Sequence, residues 1–166
     1  MMRSLILIAH NLRSSHNIGS LLRTAEGLGV SKVFLTGYSP YPQHDNDERL
    51  PHIATKVDYQ IAKTALGAEK LVAWEYSQTI DAILDDLKTR GYTLVALEQT
   101  PDSVQLPNYK PSEKLAIIVG REVEGLENEI ISRCDLTLEI PMLGKKESFN
   151  VVQAAAMALY HCRFTT

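Results

Sequence analysis

Apolar residues in this chain gather into short unbroken runs separated by amphipathic stretches. Residues 5–9, 32–36, 71–74, 93–97, 115–119 and 136–140 are such runs, and most contain β-branched residues. Runs of this length read as strands, and their lack of polar alternation reads as burial on both faces. Between the first two, Ile18, Leu21, Leu22, Ala25 and Leu28 recur at offsets of three and four, the stripe of an amphipathic helix. Asn17 is placed to cap that helix, and Gly27 and Gly29 to end it. A second helix is predicted over 79–90, with Ile80, Ile83, Leu84 and Leu87 inward and Gly91 after it. The last opens near Ser148. Such alternation predicts an α/β fold: a mostly parallel sheet flanked by helices.

Two polar stretches interrupt the pattern. Residues 38–56 carry Pro40, Pro42 and Pro51 around a charged run from Asp45 to Arg49, and 100–113 carry Pro101, Pro107 and Pro111. Both read as long loops of the kind that serve as functional lids or mobile segments. The final helix departs in another way, because Val151 through Tyr160 is apolar nearly all round, with three alanines in succession at 154–156. A helix without a polar face is buried on more than one side. Either a second copy covers it, giving a homodimer, or it is buried wholly within one chain.

The chain has 166 residues, 45% hydrophobic and 22% charged, which predicts one globular domain over 1–166. No apolar run approaches the length of a membrane span. The opening Met1-Met2-Arg3 and the apolar residues after it resemble a signal peptide, but the run is too short and is read as the first strand. Cys134 and Cys162 lack metal-ligand spacing; the expectation is two reduced buried thiols in a cytoplasmic protein, with a disulfide as the alternative. No metal is expected, since His10, His16, His44, His52 and His161 form no ligand pattern.

Net charge is −3, which does not advertise nucleic-acid binding. Its distribution says more. Residues 1–43 hold Arg3, Arg13, Arg23 and Lys32 against Glu26 alone, so that stretch is +3 and the remainder −6. A local basic patch on an acidic body is able to hold phosphate; chance asymmetry is the competing reading.

Three patches concentrate glycine and small polar residues where a strand or loop hands over to a helix. They are Asn17-Ile18-Gly19-Ser20-Leu21-Leu22-Arg23-Thr24-Ala25, then Gly120-Arg121-Glu122-Val123-Glu124-Gly125-Leu126, then Ile140-Pro141-Met142 running to Ser148-Phe149-Asn150. In the first, free N–H groups at a helix entrance attract anions. Arg23 lies off the apolar stripe: a solvated face residue, or a guanidinium aimed at phosphate or a reacting ribose, a task its forked donors suit. In the second, Gly120 lets backbone turn sharply or approach a ligand. Glu122, Glu124, Glu127 and Glu129 crowd the same region, and a charged helix entrance accounts for most of them. In the third, Ser148 is a good N-cap.

In order and spacing these patches resemble the signature motifs of the SpoU/TrmH-type RNA 2′-O-ribose methyltransferases of the SPOUT superfamily, over nearly the whole chain. The resemblance implies a deep C-terminal trefoil knot, here over about 97–166, which general folding rules would never propose. It implies homodimers with the site near the dimer interface. It also implies S-adenosylmethionine as cofactor, held by backbone around Gly120, Ile140 and Ser148 and by the loop after Leu97. Leu97, Glu98, Gly120, Ile140, Met142 and Ser148 are therefore expected cofactor contacts. Carried over residue by residue, the catalytic set is Arg23, Asn17, Glu122, Ser148 and Asn150, with Asn17 supporting the local structure and substrate site and Glu122 a substrate-site or structural carboxylate. Family accounts let the arginine help deprotonate the ribose hydroxyl. An arginine pKa above about 12 favours a different role, electrostatic stabilisation of the developing alkoxide, with the proton leaving through phosphate or water. Two positions depart from the family pattern: Phe149 replaces a usual leucine, expected to alter packing only, and Arg121 replaces a usual asparagine, adding positive charge near the substrate path.

The implied reaction is methyl transfer from S-adenosylmethionine to a ribose 2′-oxygen of RNA, driven by positioning and charge stabilisation without a metal. tRNA is expected over rRNA, because the chain resembles the anticodon wobble-position tRNA enzymes in size. An rRNA methyltransferase, or a catalytically silent RNA-binding protein of the same fold, are the alternatives; intact Arg23, Glu122, Ser148 and Asn150 weigh against the silent protein. A dinucleotide-using or class I methyltransferase domain needs G-x-G-x-x-G after the first strand, where His10-Asn11-Leu12 stands instead.

Overall fold

The computed structural model describes residues 2–165. Seven strands form one sheet in which every pairing is parallel. In chain order they are β1 (Ser4–His10), β2 (Lys32–Thr36), β3 (Trp74–Ser77), β4 (Thr93–Leu97), β5 (Val104–Gln105), β6 (Lys114–Val119) and β7 (Leu136–Glu139). Across the sheet they run β3-β2-β1-β6-β4-β7-β5. The helices are α1 (Ser15–Gly27), α2 (Pro51–Ala65), α3 (Asp81–Thr89), α4 (Asn128–Arg133) and α5 (Val151–Phe164).

Alternation along the strands sorts the core into two layers. Leu5, Leu7 and Ala9 of β1 face a cluster that includes Ile18, Leu21 and Leu22 of α1, Ile61 of α2, and Ala155, Ala158 and Leu159 of α5. Ile6 and Ile8 face the opposite layer, where Ile83, Leu84 and Leu87 of α3 pack with Ile130 of α4. Both layers share one sheet, the arrangement that buries parallel strands on both faces.

Several expected elements shift. The strand expected over 71–74 lies at β3 instead, and the residues before it form a short 3-10 turn over Ala68–Lys70. Helix α2 occupies the end of the stretch read as the loop 38–56, with Pro51 at its first turn, where a missing N–H costs nothing. The loop over 100–113 contains the short strand β5 and a 3-10 turn at Leu106–Asn108. Ser14, not Asn17, caps α1: its hydroxyl accepts from Asn17 N at 3.1 Å. Asn150, not Ser148, caps α5, its Oδ1 accepting from Val152 N at 2.9 Å. Both cysteines are free, and burial raises their thiol pKa to about 11 for Cys134 and about 12 for Cys162.

One side of α5 is closed within the chain, with Ala155, Ala158, Leu159 and Cys162 fully buried. Its other side is open: Tyr160 and Phe164 are 61% and 60% exposed, their ring centroids 4.8 Å apart. No helix among the described residues is long and apolar enough to cross a membrane.

Candidate active site

Parallel sheets place ligands outside the carboxyl ends of their strands. Here a cavity of about 270 Å³ opens beyond β4, β6 and β7, three neighbours in the sheet. Leu97 and Glu98 line it from the end of β4, Val119 through Gly125 from the end of β6, and Leu138 through Ile140 from β7. Glu147, Ser148, Phe149, Val151 and Ala154 close it from the entrance of α5. The second and third patches therefore meet in one space.

The loop after β6 holds its shape through its own backbone and the carboxylates around it. Arg121 N donates to Gly125 O at 3.2 Å and Gly125 N to Arg121 O at 3.0 Å, closing a tight reversal. Gly125 adopts φ +68°, which favours glycine. A Cβ at Gly120 would lie 2.7 Å from the Gly125 carbonyl carbon, so this backbone approach requires glycine.

Glu98 supports the loop from β4: its Oε2 accepts from Leu126 N at 3.1 Å and its Oε1 from Gln99 N at 2.9 Å. A Cβ at Gly125 would collide with that Oε2. Glu98, an expected cofactor contact, lines the cavity, and its carboxylate holds the loop. Glu122 supports the loop from α1. Its Oε1 accepts from Asn17 Nδ2 at 3.2 Å and from Ser14 N at 3.3 Å, and its Oε2 from Arg13 N at 3.3 Å. Burial pushes this carboxyl up, but donation from its own backbone, Asn17, Arg13 and Ser14 outweighs it and leaves the pKa below its ordinary value.

Glu127 is the support from β1. Its Oε1 accepts from Asn11 Nδ2 at 3.2 Å and lies 3.4 Å from the Arg121 guanidinium; its Oε2 is buried without a hydrogen bond, 3.7 Å from His10 Nε2. His10 is itself buried, with Nδ1 2.8 Å from Thr36 Oγ1. Burial holds the His10 pKa below its ordinary value; Glu127 opposes that shift, and Arg121 adds to it. Arg121, expected to add positive charge near the substrate path, lines the cavity with its guanidinium tied to Glu127.

Not every expected site residue reaches the cavity. Leu97, Glu98, Gly120, Glu122, Ile140 and Ser148 line it. Asn17 joins it through Glu122, and Asn150 sits at its edge as the cap of α5. Met142 is half-buried off the wall. Arg23 is exposed on α1 and makes no hydrogen bond or ion pair among the described residues. The glycine of the first patch serves packing: a Cβ at Gly19 would collide with Ile61 O and Thr64 of α2. The roles of His10, Asn11 and Glu127 had no signal in motif spacing, since they depend on strand ends far apart in sequence. Among the described residues no group of three or more His, Cys, Asp or Glu is placed to hold a metal ion.

A family model described as the SpoU rRNA methylase family matches residues 4–160. The chain belongs to that family. Among its relatives is the tRNA (guanosine(18)-2'-O)-methyltransferase of Borreliella burgdorferi, 28% identical over 156 residues that make up 94% of this chain and 64% of the relative. Among solved structures, the A. aeolicus TrmH/SpoU tRNA modifying enzyme superposes with a TM-score of 0.79 at 25% identity, over 97% of this chain and 74% of that one. The SpoU methyltransferase AviRb from Streptomyces viridochromogenes, in complex with the cofactor AdoMet, gives a TM-score of 0.80 at 22% identity, over 98% of this chain and 57% of AviRb. The chain therefore spans less than two thirds of the Borreliella and AviRb lengths, and the fold it shares with AviRb is the parallel sheet and its flanking helices.

Proposed function

We propose that this chain methylates a ribose 2′-hydroxyl of RNA, with S-adenosylmethionine as methyl donor and tRNA as substrate. One observation carries the reading: the second and third patches line a single cavity, and the first is bonded to its rim through Asn17 and Glu122. The name of the Borreliella relative supports tRNA, and the AdoMet complex of AviRb supports the cofactor.

The cavity suits an adenosine-sized group. Its volume of about 270 Å³ lies near the lower bound of about 300 Å³ usual for small-molecule sites. Leu97, Val119, Leu138 and Ile140 offer apolar walls to a flat ring, and the backbone turning after β6 and β7 offers N–H and C=O groups to its edge. When bound, the cofactor supplies a methyl group already activated by a positively charged sulfur. The chain's share is positioning and charge stabilisation. Glu98, Glu122 and Glu127 hold the loop that shapes the cavity, and Ser148 stands at its mouth. Arg23 stabilises the developing ribose alkoxide.

The reading includes a homodimer that covers the open Tyr160–Phe164 side of α5, with Arg23 meeting the ribose near the junction of the copies. It also includes one methyltransferase domain over 1–166, a knotted path over about 97–166, and a cytoplasmic home. Nucleoside analysis of separated tRNA and rRNA from cells lacking the protein tests the substrate. One 2′-O-methyl nucleoside should vanish from the tRNA fraction. Its loss from rRNA alone would move the substrate, and an unchanged profile in both would contradict the activity.

A further inference from the structure

The outward face of α2 has no part in the site described above. Its buried residues, Ala54, Ile61 and Ala65, define the inward side. On the opposite side, at steps of four, three and four, stand His52, Lys56, Tyr59 and Lys63, all exposed. No carboxylate interrupts this stripe. The helix's one acid, Asp58, is turned away, and its Oδ1 accepts from Gln43 N at 2.9 Å. Tyr59 is 62% exposed, with the Lys63 ammonium 4.6 Å from its ring centroid. A bare solvated face has no need of a large aromatic ring between two lysines.

The helix that carries the stripe is anchored to the first patch. Thr64, next to Lys63, donates its hydroxyl to His16 O at 2.7 Å, and the Gly19 backbone sits against Ile61 and Thr64. The carboxyl end of α2 is therefore fixed against the entrance of α1. There Asn17 holds Glu122 at the cavity rim. In a chain of net charge −3, a basic and aromatic line on the helix packed against α1 has the charge and the flat face that RNA recognises.

We propose that the His52–Lys56–Tyr59–Lys63 face of α2 is a docking track for the RNA substrate, with the lysines on phosphates and Tyr59 stacked on an unpaired base. The proposal rests on the RNA-methylating reading and adds the surface by which the RNA is held. Ammonium groups on phosphates release counterions, so each adds to the salt dependence of binding. A stacked base adds affinity with little salt dependence.

The test is binding of unfractionated tRNA across a range of salt concentrations by wild type, Lys56→Ala/Lys63→Ala and Tyr59→Ala. Melting temperature, molecular mass in solution and S-adenosylmethionine affinity are measured alongside. The double lysine variant should flatten the slope of log affinity against log salt by about 1.4–1.8. Tyr59→Ala should weaken binding about 5- to 150-fold and keep the wild-type slope. Melting temperature, mass and cofactor affinity should stay at wild-type values. Unchanged RNA binding in both variants, with wild type binding normally, would overturn the track and leave the methyltransferase reading intact. A shift in mass would overturn it too, by making this face a contact between copies. A wild-type protein that binds the cofactor but no tRNA would contradict the tRNA reading and the track together.

Discussion

Asn17 Nδ2 donates to Glu122 Oε1 at 3.2 Å across a sequence separation of 105 residues, and this bond ties the entrance of α1 to the loop after β6. Glu122 is held below its ordinary pKa although burial opposes it. An acid with a depressed folded pKa contributes stability above its unfolded pKa, and that contribution is lost as pH falls through the folded value. Wild-type melting temperature should therefore drop more steeply than that of Glu122→Gln as pH falls through and below the ordinary glutamate pKa of 4.5. Parallel curves for the two proteins would remove Glu122 from this role.

Glu98 and Gly125 are coupled by geometry. The carboxylate occupies the space a Gly125 side chain would need, and it accepts from Leu126 N. Glu98→Ala and Gly125→Ala should each weaken S-adenosylmethionine binding about tenfold or more, as the cavity wall loses its shape. Neighbours that share a contact give non-additive effects. In the Glu98→Ala background the collision is gone, so Gly125→Ala should cost less there than in wild type. Calorimetry on the four proteins checks this; strictly additive losses would contradict it.

Gly19 is a helix-contact residue. A methyl group there would meet Ile61 O and Thr64, so Gly19→Ala should destabilise the fold by about 1–3 kcal/mol, the usual cost of overpacking. Denaturant unfolding measures it. Ala is the better helix former, so a stabilised variant would show that α1 and α2 are not packed at this point.

His10 titrates under two opposed influences, burial lowering its pKa and Glu127 raising it. Glu127→Gln removes the second, so the His10 pKa should fall further in that variant. Its ring resonances followed against pH by NMR report the shift. An unchanged value would place the pair out of electrostatic contact.

The sheet was legible where strands are buried. β2 and β4 lie at the expected bounds because each is a continuous apolar run with sheet on both sides. β3 was misplaced for the converse reason: it is an edge strand, Trp74-Glu75-Tyr76-Ser77, with a polar residue at alternate positions, while the more apolar Leu71 is 74% exposed. α2 was hidden behind three prolines and a small buried set, Ala54, Ile61 and Ala65. In the site, motif spacing found the cavity walls. It could not find the tasks of Glu98 and Glu127, because each acts on groups brought near only by the order of the strands. Nor did spacing distinguish Asn17 as cap from Asn17 as bridge; Ser14 took the first task and left the side chain free for the second.

The reaction proposed for this chain is methyl transfer to a ribose beside Arg23. The most direct measurement is incubation of the protein and its Arg23→Ala variant with tRNA and methyl-labelled S-adenosylmethionine, followed by digestion to nucleosides. Wild type should yield one labelled 2′-O-methyl nucleoside. The variant should bind the cofactor normally yet transfer at least about 100-fold more slowly, the loss typical of removing a transition-state charge stabiliser. Label on a base, or undiminished transfer by the variant, would contradict the account.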